Sequence, residues 1–165
     1  MSRSSRSWWR VAAVLVAVDA VPSGNRDAAD RHAALLTRVE KMERDGLNAV
    51  LDTLDNGYPT ELRGDAQRFA AFRARWLGSD PASFGAIYRM LIATDLQPEL
   101  PRIACPALVT AGALDRVRPP QLVEPVARAI SGARYAVLET GHYAPVQTPE
   151  PYARTIIEFL DAVGA

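Results

Sequence analysis

Hydrophobic and polar positions change rhythm three times along the chain. Residues 10–19, RVAAVLVAVD, form a Val-rich run without helical caps. Such a run predicts a short strand buried on both faces, as in a parallel sheet. From Asp27 to about Ala93 the spacing turns helical. Leu35, Leu36, Val39 and Met42 recur at helical intervals, Gly46 interrupts, and Leu47, Val50, Leu51 and Leu54 resume. Asn56-Gly57-Tyr58-Pro59 is a break. Phe69, Phe72 and Trp76 then form an aromatic stripe. Ser79-Asp80-Pro81 predicts a helix start, with a capping side chain ahead of a first-turn proline. Phe84, Ile87, Tyr88, Leu91 and Ile92 line one face of the helix it opens.

The final third alternates between the two periods. Cys105 to Ala111 predicts a second buried strand. Pro119 to Ile130 predicts a helix with Leu122, Val123, Val126 and Ile130 on its inner face. Arg134 to Leu138 predicts a third strand, and Pro149 to Val163 a closing helix with Tyr152, Ile156, Phe159 and Leu160 apolar. Strand–helix–strand–helix at this spacing predicts an α/β fold with about three parallel strands and flanking helices. In such sheets ligands gather beyond the carboxyl ends of the strands.

Composition narrows the function classes. The chain has 165 residues, 48% of them hydrophobic and 23% charged, as in an ordinary globular domain. Nineteen basic side chains balance nineteen acidic ones, so the cationic footprint of a nucleic-acid binder is missing. One cysteine, Cys105, and two histidines, His32 and His142, are too few for a Cys/His zinc site, and no metal or other cofactor is expected. At the N-terminus Arg3, Arg6 and Arg10 precede the apolar run, and Val18-Asp19-Ala20 imitates a leader cleavage site. The competing reading is the buried strand, which the later sequence favours. The run is too short to span a bilayer. A disordered tail over residues 1–9 and a cytoplasmic location are the expectations, with no membrane contact.

Two loops after predicted strands carry candidate chemistry. In Gly112-Ala113-Leu114-Asp115 an aspartate follows the strand-ending glycine by three residues. In Glu139-Thr140-Gly141-His142-Tyr143 a histidine follows a glycine suited to a tight turn. Both side chains fall at the C-terminal rim of the sheet, where a carboxylate could orient an imidazole as general base. Singly, each has a plainer explanation, as a turn or capping aspartate and a solvated loop histidine. The aromatic stripe of Phe69, Phe72, Trp76 and Tyr88, together with Tyr143, could line an apolar substrate pocket. Ordinary helix–helix packing, the default use of an apolar helical stripe, is the favoured reading.

The stretch from Leu100 to Leu160, with its Ile-x-x-Pro segment before a strand, Gly-x-x-Asp turn, Gly-His turn and Pro-Glu helix ending in Phe-Leu, resembles the closing segment of the α/β-hydrolase family. The resemblance implies that Asp115 is the family's acid and His142 its histidine. It implies further that residues 10–25 and 96–165 form the C-terminal half of the core, and residues 26–95 an inserted helical cap. "DGLNAVLDT" and "SDPASFGAIYRMLIATDL" are similar to the caps of 3-oxoadipate enol-lactonase-like hydrolases. The match covers residues 10–165 but only about half of a full family domain.

The nucleophile is the departure. No G-x-S-x-G occurs, and none of Ser23, Ser79, Ser83 and Ser131 sits in a nucleophile elbow, which needs a tight strand-to-helix turn flanked by small residues. The family's oxyanion hole would lie upstream of Met1. Cys105, before Pro106 at a strand's start, belongs to the wrong end of the sheet and reads as an inert buried thiol. The expectation is an ester or lactone hydrolase scaffold that is inactive alone. The alternatives are a non-catalytic small-ligand or interaction module, or one half of a split hydrolase. In the last case self-association or a complementing chain would use the exposed strand at 10–19.

Overall fold

The computed structural model describes residues 13–14 and 26–164. Of the predicted first strand it describes Ala13–Val14 (β1). The rest of 10–19, the N-terminal tail and the leader-like site lie outside the described residues. β1 pairs in parallel with β2 (Ala107–Gly112), Ala13 opposite Ala107 and Val14 opposite Leu108. β2 pairs in parallel with β3 (Arg134–Leu138), in register from Leu108 opposite Arg134 to Gly112 opposite Leu138. The order is β1-β2-β3, the three-stranded parallel sheet that the sequence predicts. β2 starts two residues later than Cys105, just past Pro106, whose missing N–H cannot join a ladder.

α5 (Pro120–Ala129) connects β2 to β3 and packs back on both strands. Its buried stripe, Val123, Val126 and Ala127, continues into Ile130. The stripe closes on Ala107, Val109 and Ala111, alternate residues of β2 and therefore one face of the strand. Leu100, from the short 3-10 segment Gln97–Arg102, seals this cluster. Burying each such Val or Leu side chain contributes about 1.5–3 kcal/mol. The predicted inner face included Leu122, but that side chain is 59% exposed. It falls beside the stripe centred on Val123 and Val126, so only the helix's flank reaches it.

A second cluster forms among the helices. α1 (Arg26–Asp45) ends at Gly46, whose φ of +78° needs a residue without Cβ. A 3-10 turn (Leu47–Val50) leads into α2 (Leu51–Gly57), and a second (Thr60–Leu62) precedes α3 (Ala66–Leu77) and α4 (Pro81–Ala93). Asp65 caps α3 by accepting from the Arg68 amide. Asp80 caps α4 by accepting from the Ser83 amide, with Pro81 in the first turn. Val39, Met42, Leu47, Val50, Leu54 and Trp76 form the buried cluster, flanked by Phe69, Phe72, Phe84 and Tyr88. α1 packs on α4, where Gly85 admits the Glu43 side chain and Arg89 pairs with Glu43. Two apolar positions of the helical pattern are exposed: Leu36, and Ile87, which is 54% exposed. On α4 the face that packs is centred on Phe84, Gly85 and Tyr88, leaving Ile87 on its edge.

The closing helix, α7 (Pro149–Val163), keeps its predicted bounds and stops at Gly164 in the left-handed region. It buries Phe159 and follows a one-turn helix, α6 (Ala144–Gln147). Among the described residues no helix is long and apolar enough to cross a membrane.

Candidate active site

β2 does not release its neighbour when its strand geometry ends. The Ala113 amide donates to Leu138 and the Leu114 amide to Thr140, at 2.8 and 2.9 Å. The two chains run so close that a Cβ on Gly112 would lie 2.5 Å from the Thr140 carbonyl oxygen and 2.8 Å from that of Gly141. Glycine is thus required for the β2 turn to meet the β3 loop. The Asp115 amide donates back to Gly112, closing the turn.

Asp115 then uses its two oxygens differently. Oδ1 accepts from the amides of Val117 and Arg118, both at 2.8 Å. Oδ2 lies 2.9 Å from His142 Nδ1. The plain reading of a turn-forming aspartate and the chemical reading therefore describe the same side chain. Asp115 is 7% exposed. Burial pushes its carboxyl up, but the bond to His142, the two amides and the nearby imidazole charge outweigh burial and hold it below the usual carboxylate range. An ionised carboxylate only accepts, so Nδ1 carries the proton in the neutral ring and Nε2, on the opposite side, is left basic.

His142 follows Gly141 at the end of β3 and keeps about a third of its side chain exposed. Its backbone amide donates to the Gly57 carbonyl, at the end of α2, at 3.0 Å. A cavity of about 140 Å³ opens at the strand ends, with Thr110, Gly112, Asp115, Arg118, Leu138, His142 and Tyr152 in its wall. The acid and the histidine proposed from sequence are thus brought into contact at the carboxyl rim of the sheet.

The aromatic candidates sit elsewhere. Phe69 meets Tyr58 edge-on at 5.0 Å, Phe72 packs on Tyr143 at 4.6 Å, and Tyr143 meets the His142 ring at 5.3 Å. Trp76 meets Phe84, which stacks on Tyr88. These rings pack on one another, and none of Phe69, Phe72, Trp76, Tyr88 and Tyr143 forms the wall of the cavity beside Asp115. Burial, with smaller contributions from Tyr88 and Asp115, pushes the Tyr143 phenol up to about 12 against an opposing hydrogen bond with Trp76. Tyr143 is therefore a neutral phenol at physiological pH.

Cys105 precedes β2 and so lies at the opposite end of that strand from Asp115. Ser79 and Ser83 belong to the start of α4, and Ser131 precedes β3. Among the described residues no group of His, Cys, Asp and Glu is arranged to hold a metal ion. The site can orient an imidazole as a base. A hydroxyl for that base to deprotonate has to be presented at Nε2.

Gln147 carries no mark of its role in the sequence. Gln147 is buried, and its side chain joins Tyr143 to Gly57. Gly57 was legible as a turn residue, but its partner is 90 positions away. A single sequence carries no signal for such a pairing.

No protein-family profile matches the chain. It is 31% identical over 109 residues to a putative carbamate hydrolase, RutD, of Pseudomonas savastanoi, spanning 64% of this chain and 42% of that protein. The enol-lactonase of Burkholderia xenovorans superposes with a TM-score of 0.71 at 25% identity, covering 80% of this chain and 50% of the enzyme. A thermophilic esterase from Thermogutta terrifontis superposes at 0.72 with 24% identity, covering 88% and 54%, which speaks to the fold. The chain spans about half the length of these relatives or less. With its parallel strand order and these superpositions, the chain carries the C-terminal part of the α/β-hydrolase fold.

Proposed function

We propose that Asp115 and His142 are the acid and general base of a hydrolase triad whose nucleophile this sequence does not supply. The observation that carries the reading is the 2.9 Å contact between His142 Nδ1 and a buried Asp115 oxygen. In the complete site His142 Nε2 takes the proton of a serine hydroxyl as it attacks an acyl carbonyl. His142 then returns that proton to the leaving group, and Asp115 holds the ring and stabilises its charged form. The substrate is a small ester, lactone or carbamate, handled in the cytoplasm. The helical segment 26–95 acts as the cap. Phe72 and Tyr143 provide apolar ground beside His142, with Phe69, Trp76 and Tyr88 supporting them.

The sequence contains no G-x-S-x-G, so the chain alone should be a poor catalyst. Among the described residues β1 ends the strand order, and an unpaired edge of an apolar strand accepts another strand. A complementing N-terminal half, or a second chain, would add there.

Mixing tests this. The pure chain should leave p-nitrophenyl acetate at its background rate. Adding a separately produced N-terminal half of the Burkholderia xenovorans enol-lactonase should raise hydrolysis. His142→Ala or Asp115→Asn should lower the raised rate by roughly 10³-fold or more. Equal rates with and without His142 would sink the proposal.

A further inference from the structure

We infer that Gln147 is a positioning residue that clamps the His142 loop to the end of α2 and so keeps the imidazole on Asp115. The inference rests on the acid–base reading above and adds a residue to it. Gln147 is 5% exposed, and both ends of its carboxamide are hydrogen-bonded. Its Oε1 accepts from the Tyr143 amide at 2.9 Å, and its Nε2 donates to the Gly57 carbonyl at 2.9 Å. That same carbonyl accepts the His142 amide at 3.0 Å. One carboxamide thus joins the residue after the histidine to the atom that also receives the histidine's own backbone.

Two glycines make room for the clamp. A Cβ on Gly141 would lie 2.8 Å from Gln147 Nε2 and 2.9 Å from the Gly57 oxygen. A Cβ on Gly57 would lie 2.7 Å from the Tyr143 ring. A buried amide needs both its donor and its acceptor satisfied, and here each partner lies within one residue of His142 or shares its hydrogen bond. Removing the carboxamide leaves the Tyr143 amide without its acceptor. The loop relaxes to satisfy it, and the imidazole drifts from Asp115.

The histidine itself reports the effect, with no catalytic turnover required. The chain has only two histidines, so His32, in α1 and away from the Asp115 turn, serves as an internal reference. Long-range proton–nitrogen spectra at pH 8 distinguish Nδ1-protonated from Nε2-protonated imidazole. Wild-type His142 should be mainly Nδ1-protonated, and Asp115→Asn should abolish that preference. Gln147→Met, which keeps the side chain's length and loses its hydrogen bonds, should reduce the Nδ1-protonated fraction at least twofold. Gly57→Ala, which displaces the Tyr143 ring, is a second and independent route to the same loss. Circular dichroism and an unchanged His32 signal identify the folded variants.

A folded Gln147→Met or Gly57→Ala protein with the wild-type His142 tautomer would overturn the clamp while leaving the acid–base pair intact. A wild-type His142 that is indifferent to Asp115→Asn would overturn the pair, and the clamp with it.

Discussion

Asp115 divides its work between its two carboxylate oxygens, one shaping the turn and one holding the histidine. Its pKa is lower in the folded chain than in the unfolded one. The ionised form therefore adds stability above the unfolded value of about 3.9, and that stability is lost as pH falls through the folded value. Asp115→Asn should lower unfolding stability at pH 7 by about 1–3 kcal/mol in urea titrations. The gap to wild type should narrow below about pH 4. A gap that stays constant across that range would mean the carboxylate's charge is not what the fold uses. Both Asp115 and His142 were legible in sequence, because each follows a glycine at the end of a strand and both ends lie on one rim. Gln147 was not legible. Its partner is Gly57, 90 positions away, and a polar residue in a short segment before Pro149 gives no hint of burial.

At the scale of elements, periodicity located helices and strands well and their inward faces less well. α7 kept its predicted bounds because a proline and a glycine bracket it. β2 and α5 shifted by one or two residues at prolines, which exchange roles between cap, first turn and strand start. Hydrophobicity puts Leu122 on the inner face of α5 and Ile87 in the apolar face of α4, yet each lies on the flank of a stripe set by its neighbours. Paired substitutions separate face from flank. Ile130→Ala removes a side chain that is 2% exposed and joins the sheet cluster. It should cost about 2–5 kcal/mol by thermal or chemical unfolding. Leu122→Ala should change stability by less than about 0.5 kcal/mol. Equal losses at both positions would place Leu122 in the core after all.

The whole molecule holds one apolar cluster against the sheet and another among the helices, and the His142 loop runs between them. The Gly57 carbonyl from the helical layer meets the histidine loop from the sheet, so the candidate site is built across both. The parallel order and the strand-end rim were legible because βαβ units permit few topologies. How the helical layer closes on the rim was not, since that depends on contacts between Tyr143, Phe72 and Tyr58 far apart in the chain. At that rim a buried aspartate and a histidine form one hydrogen-bonded pair. Carboxyl carbon-13 titration of Asp115 tests it most directly, in the wild type and in His142→Ala. The expected result is a midpoint below the usual aspartate value that rises when the imidazole is removed. An ordinary midpoint, unmoved by the loss of His142, would contradict it.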